Sequence, residues 1–429
     1  MTKPSNSQKP FDIAIIGGGI AGITLAIALY HRNVPVTLYE QAPDFHEIGA
    51  GVSFTPNAVL AMKACHPGVH DAFRKVCTWN GWESKSKTWF DFLDGTSEHD
   101  GIAFSIKTSL GQNGVHRAHF LDELIHLLPS DRVRFGKHIE SAVEDSNGKV
   151  RMSFADGSTA YADAVVGCDG IKSRVRKMIL GEAHPAAQPT YSHKYAYRGL
   201  IPMDKAIEAV GEERARNACM HMGPDGHVLT FQVGHGDKLN IVAFRTDPKD
   251  WDAERMIKTA HRQDALDDFQ GYNSSVRRLL GLTEESLSVW AIFDLGDNPV
   301  PTFHKGRMAI SGDAAHATTP HHGAGAGFCI EDSAILAELL ADENVQSHSD
   351  LEAAFAAFDA SRRERTQWLV QSSRFIGNAY EWRAEGVGRD FDKIEKEINE
   401  RIAFISDIDI GKACERAKEI FKEKRGRQD

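Results

Sequence analysis

The sequence predicts an α/β fold with three parts: a domain built on a parallel sheet, an inserted domain built on an antiparallel sheet, and C-terminal helices. The first observation is a strand, helix and strand pattern between residues 11 and 40. The second is a series of strand-like segments, separated by polar turns, between about 186 and 300. The third is charged, amphipathic sequence from about 350 to 425, typical of surface helices.

The first domain is predicted from short apolar runs next to helical patterns. "FDIAIIG" and "VPVTLYE" read as buried parallel strands, and "GGGIAGITLAIALYHRN" between them has apolar residues at helical spacing. "GAGVSFTPNAVLAMKAC" predicts a strand followed by a helix, and "HRAHFLDELIHLL" predicts an amphipathic helix. "ADAVVGCDG" and "GRMAISGD" predict two further buried strands.

The predicted domain boundaries follow the change of pattern. "KYAYRGLIP", "HVLTFQVG", "KLNIVAFRT" and "SLSVWAIFDL" are strand-like and lie in the inserted sheet domain, residues 186–294. Residues 1–185 and 295–372 form the first domain, and residues 373–429 form a C-terminal helical segment.

Composition limits the possible functions. The 429 residues are 41% hydrophobic and carry a formal net charge of −10, so a nucleic-acid partner is not expected. No apolar run reaches about 18 residues, and the N-terminal "MTKPSNSQKP" has no apolar segment, so we expect neither a membrane span nor a secretory signal. Six dispersed cysteines fit a reducing compartment, the cytoplasm. We expect no metal site.

A phosphate-binding turn follows the first strand. Gly17, Gly19 and Gly22 form G-x-G-x-x-G at the start of a helix, the pattern of a Rossmann-type domain. Bare N–H groups and the positive end of the helix dipole favour a pyrophosphate there. Glu40 ends the second strand and is placed to accept hydrogen bonds from ribose hydroxyls. This turn alone does not distinguish FAD from NAD, because both contain ADP.

Two later motifs favour a flavin. In "GRMAISGDAAHATTPHHGAGAGFCIED" a strand ends at Gly312-Asp313, and a helix opens among small residues at about Gly323–Gly327. A carboxylate at the strand end can hold a ribityl hydroxyl, and the helix N-terminus would stabilise a reduced flavin. In "GCDGIKSRVR", Asp169 and the basic residues after it predict either a pyrophosphate or pyridine-nucleotide contact or a plain strand-end turn.

Together the three motifs resemble those of the FAD-dependent aromatic hydroxylases, the group A flavoprotein monooxygenases. "ATTPHHGAGAG", "EDS" and "YRGL" narrow the resemblance to salicylate hydroxylase and its relatives. The resemblance implies bound FAD and a transient reductant, NADH or NADPH. Residues at the family's cofactor positions are Gly17, Gly19, Ala21, Gly22, Glu40, Gly51, Ser53, Arg117, Asp169, Asp313 and Ala326.

The resemblance also implies an activity. NAD(P)H would reduce FAD, O₂ would give a flavin C4a-hydroperoxide, and a small phenolic or aromatic acid would attack it. Salicylate, which gives catechol and CO₂, is the first candidate substrate. His321 is expected to contact the substrate, with His322 as the rival, and Arg198 is expected to hold a phenolate or carboxylate, with Arg245 as the weaker candidate.

Several alternatives remain at this point. The substrate can instead be a hydroxybenzoate, a hydroxynicotinate, a tryptophan metabolite or a polyketide phenol. Two more distant possibilities are an NAD-linked dehydrogenase and a non-catalytic FAD-fold binding protein. The C-terminal helices fit either a monomer or a homodimer. The aromatic cluster that includes Trp89 and Phe90 is expected to be core.

Overall fold

The computed structural model describes residues 8–45, 51–99 and 101–426. The strands are β1 (Ile13–Ile16), β2 (Val36–Tyr39), β3 (Gly51–Ser53), β4 (Cys77–Trp79), β5 (Thr88–Asp94), β6 (Ile102–Lys107), β7 (Asn113–His116), β8 (Val133–Arg134), β9 (Ile139–Glu144), β10 (Val150–Phe154), β11 (Thr159–Ala162), β12 (Ala164–Gly167), β13 (Thr190–Pro202), β14 (Cys219–Gly223), β15 (Gly226–Val233), β16 (Lys238–Thr246), β17 (Ile257–His261), β18 (Ser286–Asp294), β19 (His304–Lys305) and β20 (Met308–Ile310).

The helices are α1 (Ile20–Tyr30), α2 (Pro56–Cys65), α3 (Pro67–Val76), α4 (Arg117–Ile125), α5 (Arg174–Leu180), α6 (Met203–Val210), α7 (Glu212–Arg216), α8 (Arg262–Asp268), α9 (Ser274–Gly281), α10 (Asp313–His316), α11 (Gly325–Leu340), α12 (His348–Tyr380), α13 (Phe391–Ser406) and α14 (Ile410–Arg425).

A sheet of largely parallel strands forms the centre of the first domain, in the order β19-β20-β12-β1-β2-β8. β1 runs parallel to β12 and β2, and β20 runs parallel to β12. Every residue of β1 and β12 is buried, which accounts for their isoleucine and valine runs. The carboxyl ends of β20, β12 and β1 therefore lie side by side, although about 140 to 150 residues separate each of these strands from the next in the sequence.

The turns after these strands pack without room for side chains. A Cβ at Gly22 would lie 1.9 Å from the Gly17 carbonyl oxygen, and a Cβ at Gly17 would lie 2.4 Å from the Cys168 carbonyl oxygen. Gly17 also has a φ of +104°, which side chains with a Cβ rarely adopt. A Cβ at Gly312 would come within 2.9 Å of the Ala21 Cβ. The turn after β20 thus touches the start of α1.

The antiparallel sheet has the order β17-β18-β13-β16-β15-β14-β5-β6. β13 to β18 come from the segment predicted as a separate sheet domain, but β5 and β6 come from residues 88–107. β5 joins the sheet by parallel pairing with β14. Helix α12 runs continuously across the predicted boundary at residue 372. The boundaries at 186, 294 and 372 therefore stay a proposal.

A buried group of charges fastens α11 to α12 and to the turn after β20. Asp332 accepts hydrogen bonds from the Gly312 amide (3.1 Å), His316 Nε2 (2.6 Å) and Arg362 Nε (2.7 Å). Arg362 also pairs with Glu331 at 2.7 Å. Burial alone would raise the pKa of Asp332, but His316 and Arg362 outweigh it and lower that pKa to about 2. The carboxylate stays ionised and holds the turn in place.

These observations confirm the predicted fold class: a mixed α/β chain with a parallel sheet, an antiparallel sheet and C-terminal helices. The helix predicted in "HRAHFLDELIHLL" is α4, and the helix predicted in "GAGVSFTPNAVLAMKAC" is α2. Across residues 8–45, 51–99 and 101–426, each helix is too short or too polar to cross a bilayer.

Substitution of Gly22 by alanine tests the packing of α1 against β1. The added Cβ would overlap the Gly17 carbonyl, so we expect the free energy of unfolding to fall by about 3 kcal/mol or more. Urea unfolding followed by circular dichroism measures it. Gly271→Ala is the matched control, because no atom lies within 4 Å of its Cβ position, and a change within about 0.5 kcal/mol is expected. Equal losses in both variants would contradict this account.

Candidate active site

A cleft of about 370 Å³ opens at the carboxyl edge of β1, β12 and β20 and continues to the antiparallel sheet. Its size is typical of small-ligand sites. Nine of the predicted site residues line it: Gly19, Ala21, Gly51, Ser53, Arg117, Arg198, Asp313, His321 and Ala326. Four predicted residues do not line it: Gly17, Gly22, Glu40 and Asp169. The polar segments around residues 19 and 313–326 therefore meet in one cleft.

The first end of the cleft is the N-terminus of α1. No side chain caps this helix, and its first turn contains no acidic residue, so its amide groups are available to a ligand. Arg117 Nη2 lies 3.4 Å from the Cβ position of Gly19 and adds positive charge. Glu40 lies behind the turn, where its carboxylate accepts hydrogen bonds from the Gly18 amide (2.6 Å) and the Ala42 amide (2.7 Å). Glu40 thus fixes the shape of the turn.

Asp169 also acts on local structure. It accepts hydrogen bonds from Ser173 Oγ (2.5 Å), the Arg174 amide (2.7 Å) and the Val175 amide (3.1 Å), at the N-terminus of α5. Burial raises the pKa of Asp169, against the effect of these donors. Arg176 of the same motif is buried and donates to the Ala314 carbonyl at 2.8 Å. These are contacts of a strand-end turn, and Gly170 of the same motif lines the cleft, so the predicted cofactor contact of Asp169 stays a prediction.

A second helix N-terminus lies at the other end of the cleft. α11 begins at Gly325, its N-cap Ala324 supplies no side-chain hydrogen bond, and its first turn has no acidic residue. Gly323 has a φ of +62°, the left-handed conformation that turns the loop into the helix. Asp313 is exposed to the cleft beside this loop. Sequence reasoning missed that Asp332 and Arg362 support this turn; the adjacent acidic residues Glu331 and Asp332 in a largely apolar helix were the available signal.

These groups fit FAD. Two uncapped helix N-termini and the Arg117 cation face one cleft as donors for a pyrophosphate and the polar edge of a flavin, and the Asp313 carboxylate faces it as an acceptor for a ribityl hydroxyl. Gly19, Gly51 and Gly325 leave the cleft walls free of side chains at those positions. No group of three or more His, Cys, Asp or Glu side chains within the described ranges is arranged to hold a metal ion.

Beyond the start of α11 the cleft becomes an apolar cavity. Apolar and aromatic side chains of the antiparallel sheet and of α12 line it: Trp89, Phe90, Met220, Leu229, Phe231, Val242, Phe244, Trp290 and Tyr380. Trp89 and Phe90, which the sequence placed in the core, are buried but also face this cavity. The cavity suits a planar aromatic ligand next to the Gly323–Ala326 segment.

His321 lies in the wall of this cavity. It is 5% exposed, and neither ring nitrogen has a hydrogen-bond partner among the residues that the structure describes. Its ring meets those of Phe244 and His227 edge to face, with centroids 5.0 and 5.1 Å away. Burial, and then the His227 ring, lower the pKa of His321 well below its usual value. A Cβ at Gly377 would lie 2.3 Å from the His321 ring, so α12 fixes the position of that ring.

His322 differs from its neighbour. Its Nε2 hydrogen-bonds Ser372 Oγ of α12 at 2.9 Å. Burial, and then Arg401, lower the pKa of His322 to about 3. Both histidines line the cleft, but His321 is the one whose ring nitrogens are unpaired in the described structure.

Arg198 faces the same cavity from β13. Its guanidinium stacks over the Trp290 ring, 4.8 Å from the ring centroid. Burial, and then the nearby Arg117 cation, lower the pKa of Arg198 to about 10. An arginine in this surrounding favours an anionic ligand group. Arg245, the weaker candidate, lies outside the cleft lining and donates to the Pro224 carbonyl at 3.0 Å.

The neutral state of His322 predicts an acid-sensitive fold. Its pKa is about 3 in the folded chain and about 6.5 in the unfolded chain, so between these pH values only the unfolded chain binds the proton. Stability is therefore highest above pH 6.5 and falls as the pH falls. Between pH 7 and 5 this residue is expected to remove about 2 kcal/mol of unfolding free energy.

Urea unfolding at pH 7 and pH 5 checks this effect. The variant His322→Gln is expected to lose about 2 kcal/mol less than the wild type on going to pH 5. His99→Gln, at an exposed histidine, is the control and is expected to follow the wild type. The same loss in all three proteins would show that His322 does not set this dependence.

Comparison with known proteins agrees with the geometry. A family model described as an FAD binding domain matches residues 10–373. The FAD-dependent monooxygenase pigN of Monascus ruber is 47% identical over 97% of this chain and 98% of its own length. A salicylate hydroxylase of Sarocladium schorii is 40% identical over 88% of this chain and 84% of its own length.

A solved structure points the same way. The substrate complex of a salicylate hydroxylase superposes with a TM-score of 0.85 at 34% identity and covers 96% of this chain and 98% of the other. The sequence, the cleft and these relatives therefore place the chain in the FAD-dependent monooxygenases of the aromatic hydroxylase type, the family that the three motifs predicted.

Proposed function

We propose that the protein hydroxylates the ring of a small phenolic compound, with FAD as bound cofactor and NADH or NADPH as reductant. The observation that carries this proposal is the cavity next to the Gly323–Ala326 segment, where His321 and Arg198 face one apolar space. Membership of a monooxygenase family decides against the NAD-linked dehydrogenase and the non-catalytic binding protein.

When bound, FAD supplies the redox chemistry, which activates O₂ with electrons from the pyridine nucleotide. The residues of the chain bind and orient the aromatic ring. Trp89, Phe90 and Phe244 exclude water from the cavity, which limits unproductive decay of reactive oxygen species there. A ring bound in the cavity would lie beside the helix N-terminus at Gly325, which lines the same cleft.

His321 and Arg198 support a phenolic substrate. A neutral, buried imidazole with unpaired nitrogens can accept the hydrogen bond of a phenol O–H, and loss of that proton makes the ring more electron-rich. The Arg198 cation can pair with a carboxylate or a phenolate. Salicylate carries both groups, so a salicylate-to-catechol reaction with loss of CO₂ is the first substrate proposal.

A second substrate class is a larger phenol, such as a polyketide phenol. The chain is more similar to pigN, whose name states no substrate, than to the salicylate hydroxylase of Sarocladium schorii, which leaves room for a substrate other than salicylate. The stacking of Arg198 on Trp290 also supports it, because this contact offers a cation and an aromatic face to a phenolate ring without a carboxylate.

Two further proposals concern the state of the protein. All six cysteines are free, and five of them are buried, in keeping with a cytoplasmic location. The C-terminal helices α13 and α14 leave Phe404 45% exposed, so either a monomer or a homodimer is proposed.

The deciding experiment is a substrate panel with product identification. Purified yellow protein is mixed with NADH or NADPH, O₂ and, in turn, salicylate, 4-hydroxybenzoate, 6-hydroxynicotinate and an alkylated resorcinol. We expect one class of phenol to accelerate NAD(P)H oxidation about tenfold or more and to give a hydroxylated product by mass spectrometry. Catechol from salicylate supports the first class, and oxygen inserted into the resorcinol supports the second.

A colourless protein, or a flavoprotein whose NAD(P)H oxidation no phenol accelerates, would overturn the proposed function. Hydrogen peroxide formed without a hydroxylated product would show that the compound fills the cavity without being its substrate.

Arg198→Gln separates the two substrate classes. Loss of a charge-assisted pair is expected to weaken binding of a carboxylate-bearing phenol by about 1.5–3 kcal/mol, seen as a roughly 10- to 150-fold higher KM. A phenol without a carboxylate is expected to be affected less. The measurement is KM and kcat with both kinds of phenol at constant pH.

Arg245→Gln is the matched control, because Arg245 lies on the neighbouring strand β16 but not in the cleft. An equal rise of KM in both variants would refute the binding role proposed for Arg198.

A further inference from the structure

A buried charged group lies behind the cavity wall. We call Glu381, Lys194 and Thr246 the Glu381 cluster. Glu381 is fully buried; one of its carboxylate oxygens, Oε2, accepts from Lys194 Nζ and from Thr246 Oγ1 (2.5 Å). Lys194 Nζ also donates to Thr246 Oγ1 at 3.0 Å. The ion pair lies at the end of α12, immediately after Tyr380 of the cavity wall.

His227 connects this cluster with His321. Its Nδ1 lies 3.2 Å from Glu381 Oε1, and its side chain is fully buried. Its Nε2 has no hydrogen-bond partner among the residues that the structure describes. Because Nδ1 faces a carboxylate, Nδ1 carries the proton and Nε2 carries a free lone pair. The ring lies flat against Phe244 at 4.6 Å and meets His321 edge to face at 5.1 Å.

Two adjacent buried histidines with unpaired nitrogens call for an explanation, since buried polar groups are normally satisfied. His321 faces the cavity, whereas His227 is absent from its lining and lies behind it. The order from the cavity inwards is therefore His321, His227, Glu381.

We propose that His321 passes the phenolic proton of the bound substrate inwards to His227, whose imidazolium is stabilised by the Glu381 oxygen that faces it. The inference rests on the proposed function, because it needs a phenol in the cavity. His321 touches the substrate, and His227 and Glu381 act through it.

The step balances as a proton transfer. The phenol O–H bond breaks, and the proton forms an N–H bond on the lone-pair nitrogen of His321. The two rings lie edge to face without a hydrogen bond between them, so they must turn to bring the other nitrogen of His321 to Nε2 of His227, which then takes the proton of that nitrogen. The products are a phenolate, a neutral His321 in its other tautomer, and a His227 imidazolium hydrogen-bonded to the Glu381 carboxylate. No redox partner takes part.

The surroundings explain why the proton moves on from His321. The charged and titratable groups facing His321 are His227, Lys194, Glu381 and His322, and burial opposes a cation there. Burial lowers the pKa of His227 as well, and Lys194 adds to this effect, but of the two histidines only His227 hydrogen-bonds the carboxylate, which favours its protonated form. Glu381 is held ionised, because His227 and Lys194 outweigh the effect of its burial and lower its pKa.

The test reads the ionisation of a bound phenol without turnover. Oxidised, FAD-loaded protein is mixed with 5-nitrosalicylate in the absence of reductant, and the nitrophenolate absorption is followed against pH after subtraction of the flavin spectrum. The wild type is compared with His227→Asn, whose amide can still donate to Glu381 but cannot accept a proton. We expect the apparent pKa of the bound phenol to rise by about one unit or more, a tenfold weaker preference for the phenolate.

A second variant addresses the carboxylate. Glu381→Gln alone would leave the Lys194 cation buried without a partner, so the double variant Lys194→Met with Glu381→Gln removes both charges. It is expected to raise the phenol pKa in the same direction. The control is His348→Asn, which breaks a histidine–carboxylate pair of similar length, 2.9 Å to Asp163, outside the cavity; it is expected to titrate like the wild type.

The outcomes separate the relay from the function beneath it. An unchanged pKa of the bound phenol in His227→Asn would overturn the relay. If that pKa rises in His321→Asn but not in His227→Asn, His321 is the only proton acceptor. If the panel yields a hydroxylated phenol while His227→Asn titrates like the wild type, the proposed function stands and the relay fails. If no phenol binds or is hydroxylated, the proposed function fails and the relay with it.

Discussion

The active-site cleft depends on the parallel alignment of three neighbouring strands, β20, β12 and β1. Each strand ends at the same edge of the sheet, so three polar turns from distant parts of the chain come together there. The alignment is tight. Gly17, Gly22 and Gly312 leave no space for a Cβ, and each makes contact with the next turn or helix. The two uncapped helix N-termini follow from this arrangement, because α1 and α11 start where those turns end.

The rest of the molecule keeps those turns rigid and closes the far side of the cleft. The ion pairs of Asp332 and Glu331 with Arg362 hold α11 against α12, and Gly377 of α12 holds the His321 ring in turn. A long helix therefore spans both regions: one part supports the cofactor-binding turn, and its last residues, with Glu381 just beyond, support the cavity. A buried charge that loses its partner strongly destabilises the fold. The ion pairs between α11 and α12 therefore favour the one register in which every charge is paired.

Local sequence patterns predicted much of this. The strand at Ile13–Ile16, the glycine turn and α1 obey short-range rules of hydrophobic periodicity and backbone sterics, and the family resemblance placed Asp313 and His321 in the same site. Contacts between distant residues were not predictable in this way. The sequence around Glu331 does not indicate that Arg362 is its partner. The sequence around Trp89 does not indicate that β5 pairs with β14, which brings this tryptophan to the cavity. The hydrogen bond that the Glu40 carboxylate accepts from the Gly18 amide was likewise not predicted from the sequence.

The pairing of β5 with β14 has a consequence for how such proteins change over time. Strands β5 and β6, which end the antiparallel sheet, come from residues 88–107, far from the 186–294 segment that supplies the other six strands, so this segment does not contain the whole sheet. Exchange of residues 186–294 alone would pair the β14 of another protein with the β5 of this one. A poor match would leave a strand edge unpaired and prone to aggregation. Substitutions of side chains that line the cavity keep this strand pairing intact. We therefore expect them to change the substrate preference of such a protein more readily than exchange of a whole segment.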